Sequence, residues 1–153
     1  MNMRTIPILL TLLVTMSAHK CTEATASAAG DGDPVKGAKK IGSIMDQKWI
    51  LQTLNGNPIS IPKDVAAPWL KLTKEGAKVE GFGGCNNLFG GYTLEGDRVK
   101  LENLASTKKF CEAVQPTENA YMTALKSTDH FKLEGNVLKL LTGTAEAATF
   151  RPE

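Results

Sequence analysis

Three cysteines and two histidines are the residues of this 153-residue chain best suited to chemistry. Cys85 stands inside Gly81-Phe82-Gly83-Gly84-Cys85-Asn86-Asn87-Leu88-Phe89-Gly90-Gly91-Tyr92, where five of twelve residues are glycine. Glycine reaches positive φ and close backbone approach without steric cost, and Asn tolerates the left-handed region, so the thiol sits on an unusual backbone path. A thiol nucleophile needs a base and a group that orients it. His130 is the one histidine beyond the leader, far along the chain and beside Phe131 in a strand-like stretch, where a plain strand histidine is the simpler reading. A phosphate loop fails because no Lys-Ser or Lys-Thr closes the glycines. A zinc site fails because two cysteines without a neighbouring histidine leave the shell incomplete. Glu112 and Glu118, near Cys111, are a carboxylate pair of the kind that does acid–base work. Glu118 opens a helix, however, and the positive helix N-terminus accounts for it. The expectation is therefore no catalytic residue, no metal and no cofactor.

The compartment decides how the cysteines are read. Met1-Asn2-Met3-Arg4 followed by the apolar run Ile6 to Ala18 is a charged n-region and an h-region too short to span a bilayer. Residues 1–20 therefore read as a secretory signal. Cys21 follows it at the place where lipoprotein processing adds a diacyl anchor. His19 and Lys20 are larger than the residues that usually precede such a cysteine, and Ala-Thr-Ala or Ser-Ala-Ala around residues 26–29 fits ordinary cleavage. Both outcomes stand: an acylated Cys21, or a cut further on. In an oxidising compartment two cysteines pair, and Cys85 and Cys111 are the two within the folded region. That disulfide would close a loop of about 25 residues and stabilise by roughly 3 kcal/mol in the chain-entropy picture.

Removing residues 1–20 takes away Arg4 and Lys20, and the formal net charge falls from +2 to zero. This argues against a nucleic-acid binder, which needs a basic excess on one face. Residues 21–44 are small and polar and read as a disordered tether. From residue 45 the pattern alternates. Strands are expected at Trp49–Leu54, Trp69–Thr73, Lys78–Glu80, Tyr92–Leu94, Arg98–Glu102, Phe131–Leu133, Val137–Leu140 and Ala148–Phe150, with a short edge piece at Ile59-Ser60-Ile61 between prolines. Asn55-Gly56 and the repeated Glu-Gly steps are turns. Pro116 to Lys126 reads as one helix, with Pro in its first turn and Ala120 or Tyr121, Ala124 and Leu125 on one face. The expected fold is α+β: a curled, barrel-like antiparallel meander of six to eight strands with one packed helix. Trp49 and Trp69 are expected in the core.

In their order along the chain, these segments resemble the META domain family, the HslJ-like domains. The resemblance rests on Trp49-x-Leu51-x-x-Leu54-Asn55-Gly56, Gly84-Cys85-Asn86-x-x-x-Gly90-x-Tyr92, Leu104-Ala105-Ser106-Thr107-x-x-x-Cys111, Glu118-x-x-Tyr121-x-x-x-Leu125 and Leu138-x-Leu140. Lys109-Phe110 stands where a Met-Ala pair often precedes the second cysteine. It covers about Asp46 to Phe150. What it implies is a small envelope or secreted domain, often a lipoprotein, linked to heat shock, antibiotic tolerance or virulence, with no catalytic residues to carry over.

The functional expectation is a non-enzymatic, stress-related domain at residues 45–153. It would be exported to the periplasm or outer membrane, anchored through Cys21 if that residue is acylated, and would act on an unknown protein partner of the envelope. Asn86, Asn87, Phe89 and Tyr92 form the candidate contact loop. The plainer reading has the asparagines satisfying backbone groups of the turn, and Phe82, Phe89 and Tyr92 in the core. The rival functions are a secreted inhibitor that docks a hydrolase or envelope protein and, further off, a thiol-dependent enzyme.

Overall fold

The computed structural model describes residues 44–153. The signal segment at 1–20, the tether up to residue 43 and the acylation of Cys21 lie outside the described residues.

Among the described residues, nine strands and one long α-helix follow in order: β1 Lys48–Leu54, β2 Asn57–Pro58, β3 Trp69–Thr73, β4 Lys78–Phe82, β5 Asn87–Glu95, β6 Arg98–Ser106, α1 Gln115–Ser127, β7 His130–Glu134, β8 Val137–Thr142 and β9 Ala145–Pro152. All pairings of these strands are antiparallel. Strands β3 to β9 pair in chain order, and β1 pairs with β3 at one edge and with β9 at the other, so the meander curls until its ends meet. Period-two alternation sends Leu51, Leu70, Leu72, Leu138, Leu140 and Phe150 to a shared interior, where each is fully buried. The helix fills this interior from one side. Tyr121, Ala124 and Leu125 are buried, and α1 packs on β6, β9 and β1, strands from opposite sides of the curl.

Three expectations need correction. Ile59-Ser60-Ile61 lies in no strand. The short edge strand is instead β2, Asn57–Pro58, which folds back on Thr53 and Leu54 through Asn55 and Gly56. Both turn residues have positive φ, 51° and 76°, as a tight hairpin turn requires. Trp49 is buried, with its Nε1 donating to the Ile44 carbonyl at 2.9 Å, but Trp69 is only half-buried. In β3 the inward positions are Leu70 and Leu72, so Trp69 takes the outer face.

Phe89 likewise faces outward, 51% exposed, whereas Leu88 and Tyr92 take the inner face of β5. Phe89 and Tyr92 are three residues apart, so a regular strand cannot bury both. Beside Phe89, β6 carries one extra residue: Phe89 pairs with Ala105, but Gly91 pairs with Glu102. Asn103 takes φ 52° in this bulge. A Cβ at Gly90 would lie 2.7 Å from the Glu102 carbonyl oxygen, so the close approach excludes a side chain there.

Candidate functional site

The glycine stretch is a corner between β4 and β5, held from two directions. Covalently, Cys85 bonds to Cys111 across a separation of 26 residues. Non-covalently, Asn86 is the hub. Its backbone N–H donates to Glu118 Oε1 at 2.8 Å, and its side-chain amide donates to Glu118 Oε2 at 2.7 Å and to the Lys109 carbonyl at 3.0 Å. Its Oδ1 accepts from Thr107 Oγ1 at 2.8 Å and from the Lys109 N–H at 2.7 Å. Two acceptors meet the amide nitrogen and two donors meet the oxygen, which fixes the amide's orientation. The chain reverses here through Gly83 N–H to the Asn86 carbonyl at 2.8 Å.

The glycines are required by what lies behind them. A Cβ at Gly83 would come within 2.8 Å of Glu118 Cγ. Gly84 has φ 106°, a conformation L side chains rarely adopt. Glu118 lies in the first turn of α1, as expected, yet it is 5% exposed and serves as the carboxylate that holds Asn86. Sequence reasoning missed this role. Its signal was spacing: Glu118 precedes Tyr121 and Leu125 by three and seven residues and so lies on the buried face, where a carboxylate needs donors. Thr107 was also missed as a functional side chain; the segment containing it meets the glycine stretch through Asn86.

The four candidate contact residues divide. Asn86, 3% exposed, is consumed in this network, and Tyr92 is buried with its hydroxyl donating to the Thr73 carbonyl at 3.2 Å. Asn87 and Phe89 are exposed. Beyond the network lies a cleft of about 290 Å³ between the Ser106–Phe110 segment and the α1 residues Gln115, Asn119 and Met122. Phe110, at its rim, is 79% exposed.

The chemistry available is correspondingly limited. Cys85 and Cys111 occupy each other, so this corner holds no thiol. His130 is placed elsewhere, where its Nδ1 shares a 2.7 Å hydrogen bond with Asp129. That bond, with the Gly143 N–H donating to both Asp129 oxygens at 2.9 and 3.0 Å, holds the Asp129 carboxyl below the usual carboxylate range. Its role is to tie the β8–β9 turn to the segment after α1. Among the described residues no group of three or more His, Cys, Asp or Glu is placed to hold a metal ion. No helix among them is long and apolar enough to cross a membrane.

The family model for the META domain matches residues 42–153. Two solved structures are similar in fold. An NMR structure of a protein from Burkholderia xenovorans is 23% identical, with a TM-score of 0.61, and the match covers 88% of this chain and 97% of that one. Another NMR structure is 21% identical, with a TM-score of 0.57, and the match covers 72% of this chain and 92% of the other. No curated protein matches the chain.

Proposed function

The chain belongs to the META domain family, and from that premise we propose that it is an exported, stress-related envelope protein that works by binding another protein rather than by catalysis. The observation that carries this reading is Phe110. It is 79% exposed, yet its neighbours Lys109 and Cys111 are fixed, one by hydrogen bonds to Asn86 and the other by the disulfide. A large apolar side chain held outward on a pinned segment loses little freedom on binding, as an interface anchor should. Asn87 and Phe89, exposed at the start of β5, extend the contact surface, and Asn86 supports it from inside.

Export is supported by the leader pattern at residues 1–20 and by the disulfide, which persists in an oxidising compartment. Cys21 anchors the domain to a membrane if it is acylated; otherwise the mature protein is soluble in the periplasm or secreted.

The test is chemical cross-linking in an envelope fraction, comparing wild type with Phe110→Asp. Wild type is expected to capture a partner that the variant loses, while the variant melts within about 2 °C of wild type, as an exposed substitution should. The same capture profile from both proteins would overturn the reading. Mass spectrometry of the mature N-terminus is expected to show a lipid on Cys21 or a new terminus near residues 26–29. A chain still beginning at Met1 would overturn export.

A further inference from the structure

On the outer face of the curl, three neighbouring strands place unlike side chains in two rows. Trp69 of β3, Ile50 of β1 and Arg151 of β9 are directly opposite one another in register. Lys71 and Lys48 form the next row, with Glu153 continuing it beyond β9. Adjacent strands lie about 4.8 Å apart, so Trp69 and Arg151 stand roughly 10 Å apart with Ile50 between them. Ala66 and Ala67 supply a wall, and the cleft so formed is about 380 Å³, within the ~300–1,000 Å³ range of small-molecule sites.

The charges of this cleft are unevenly engaged. Lys48 Nζ is paired with Glu153 and lies 5.2 Å from the Trp69 ring centroid. Arg151, exposed, makes no ion pair among the described residues. A guanidinium left open beside an aromatic and an aliphatic side chain is a seat for a carboxylate, which it can bind through two parallel hydrogen bonds. The indole offers an apolar surface for the C–H face of a ring.

We propose that this cleft binds an acidic saccharide: the sugar ring lies over Trp69 and Ile50, and its carboxylate reaches Arg151. Lys48, held at the cleft by Trp69 and Glu153, is a second cation for the same carboxylate or the next one. The site is separate from the Phe110 surface, so either proposal can fail alone.

The test is an NMR titration of the mature protein with tri-galacturonate, following backbone amides and the two indole N–H signals. Saturable shifts are expected at Trp69, Ile50 and Arg151, while the Trp49 indole, buried and bonded to Ile44, stays still. Neutral maltotriose is expected to bind about tenfold more weakly or worse, because it leaves Arg151 without its carboxylate. Arg151→Gln, on the surface, is expected to weaken tri-galacturonate binding by about tenfold, and Trp69→Ala by a similar factor. Glu153→Gln removes the carboxylate that competes for Lys48 and is expected to tighten binding by roughly two- to threefold. No saturable shift, equal shifts from tetraglutamate, or an unchanged affinity in Arg151→Gln would each overturn the proposal; equal response to tetraglutamate would mean bare charge attraction.

Discussion

Glu118 lies on the side of α1 where the neighbouring positions are Tyr121, Ala124 and Leu125, and it is the one buried carboxylate among the described residues. Its position is tolerable because both oxygens accept from Asn86. Truncation to Ala would leave the Asn86 N–H without its buried acceptor, and Glu118→Ala is expected to cost about 1–3 kcal/mol or more. Gly83 is coupled to it, because a Cβ at Gly83 would press on the Glu118 side chain. Gly83→Ala alone is expected to cost about 1–3 kcal/mol by overpacking. In a Glu118→Ala background it should cost much less. A double-mutant cycle by urea unfolding measures this coupling; strict additivity would show that Gly83 is needed for another reason. These relations were only half-visible in the sequence. Helical spacing puts Glu118 among apolar neighbours, but nothing local says that its partner is an asparagine 32 residues earlier.

At the scale of elements, the segment between β6 and α1 is fastened to the β4–β5 corner twice, by the Cys85–Cys111 bond and by the bonds of Asn86 to Thr107 and Lys109. The disulfide closes a loop of 26 residues, and its loss in Cys85→Ser/Cys111→Ser is expected to cost roughly 3 kcal/mol. Because the hydrogen bonds remain, the reduced corner should still fold. Urea unfolding with amide exchange checks both: an unchanged midpoint removes the stabilising role, and loss of protection at Asn86 and Lys109 in the folded variant removes the second fastening. Most elements were legible from local pattern. Leu70-Lys71-Leu72 in β3 and Leu138-Lys139-Leu140 in β8 alternate, Asn55-Gly56 marks a hairpin, and Pro116 with the Tyr121–Leu125 face marks α1. The β6 bulge was not legible: the expected strand ended at Glu102, before the bulge, and the extra residue shows only against β5. The same limit hid the outward side of Trp69, because alternation names two faces without saying which is inside.

For the whole molecule, the decisive event is closure, in which β9 reaches β1 and α1 seals the interior from one side. The alternating strands implied a curl, but pairing between its ends depends on accumulated twist and register that no single strand displays. Closure buries both tyrosines of the chain, Tyr121 completely and Tyr92 with its hydroxyl only partly covered. Tyr121 is fully buried with its ring 6.1 Å from that of Phe150, and its hydroxyl has no hydrogen-bond partner among the described residues. Burial drives its phenol far above the ordinary value of 10.0, and Tyr92 is also raised, by burial first and then by the negative charge of Asp46. The sign of the pH effect follows. Below pH 10 both folded and unfolded chains keep the phenol protons and this contribution to stability is fully present. Above it the unfolded chain releases protons that the folded chain retains, so stability falls as pH rises, by about 1.4 kcal/mol per pH unit for Tyr121. The native protein is therefore expected to show little phenolate absorbance just above pH 10 and then to gain it in one step together with unfolding. Tyr121→Phe, which also removes an unpaired buried hydroxyl, should be at least as stable as wild type at neutral pH and should unfold at a higher pH. Absorbance and near-ultraviolet circular dichroism, followed through the same alkaline titration, check this directly. A smooth ionisation of both tyrosines near pH 10 with the dichroism intact would mean that the closed interior admits water and that the curl is looser than its pairing indicates.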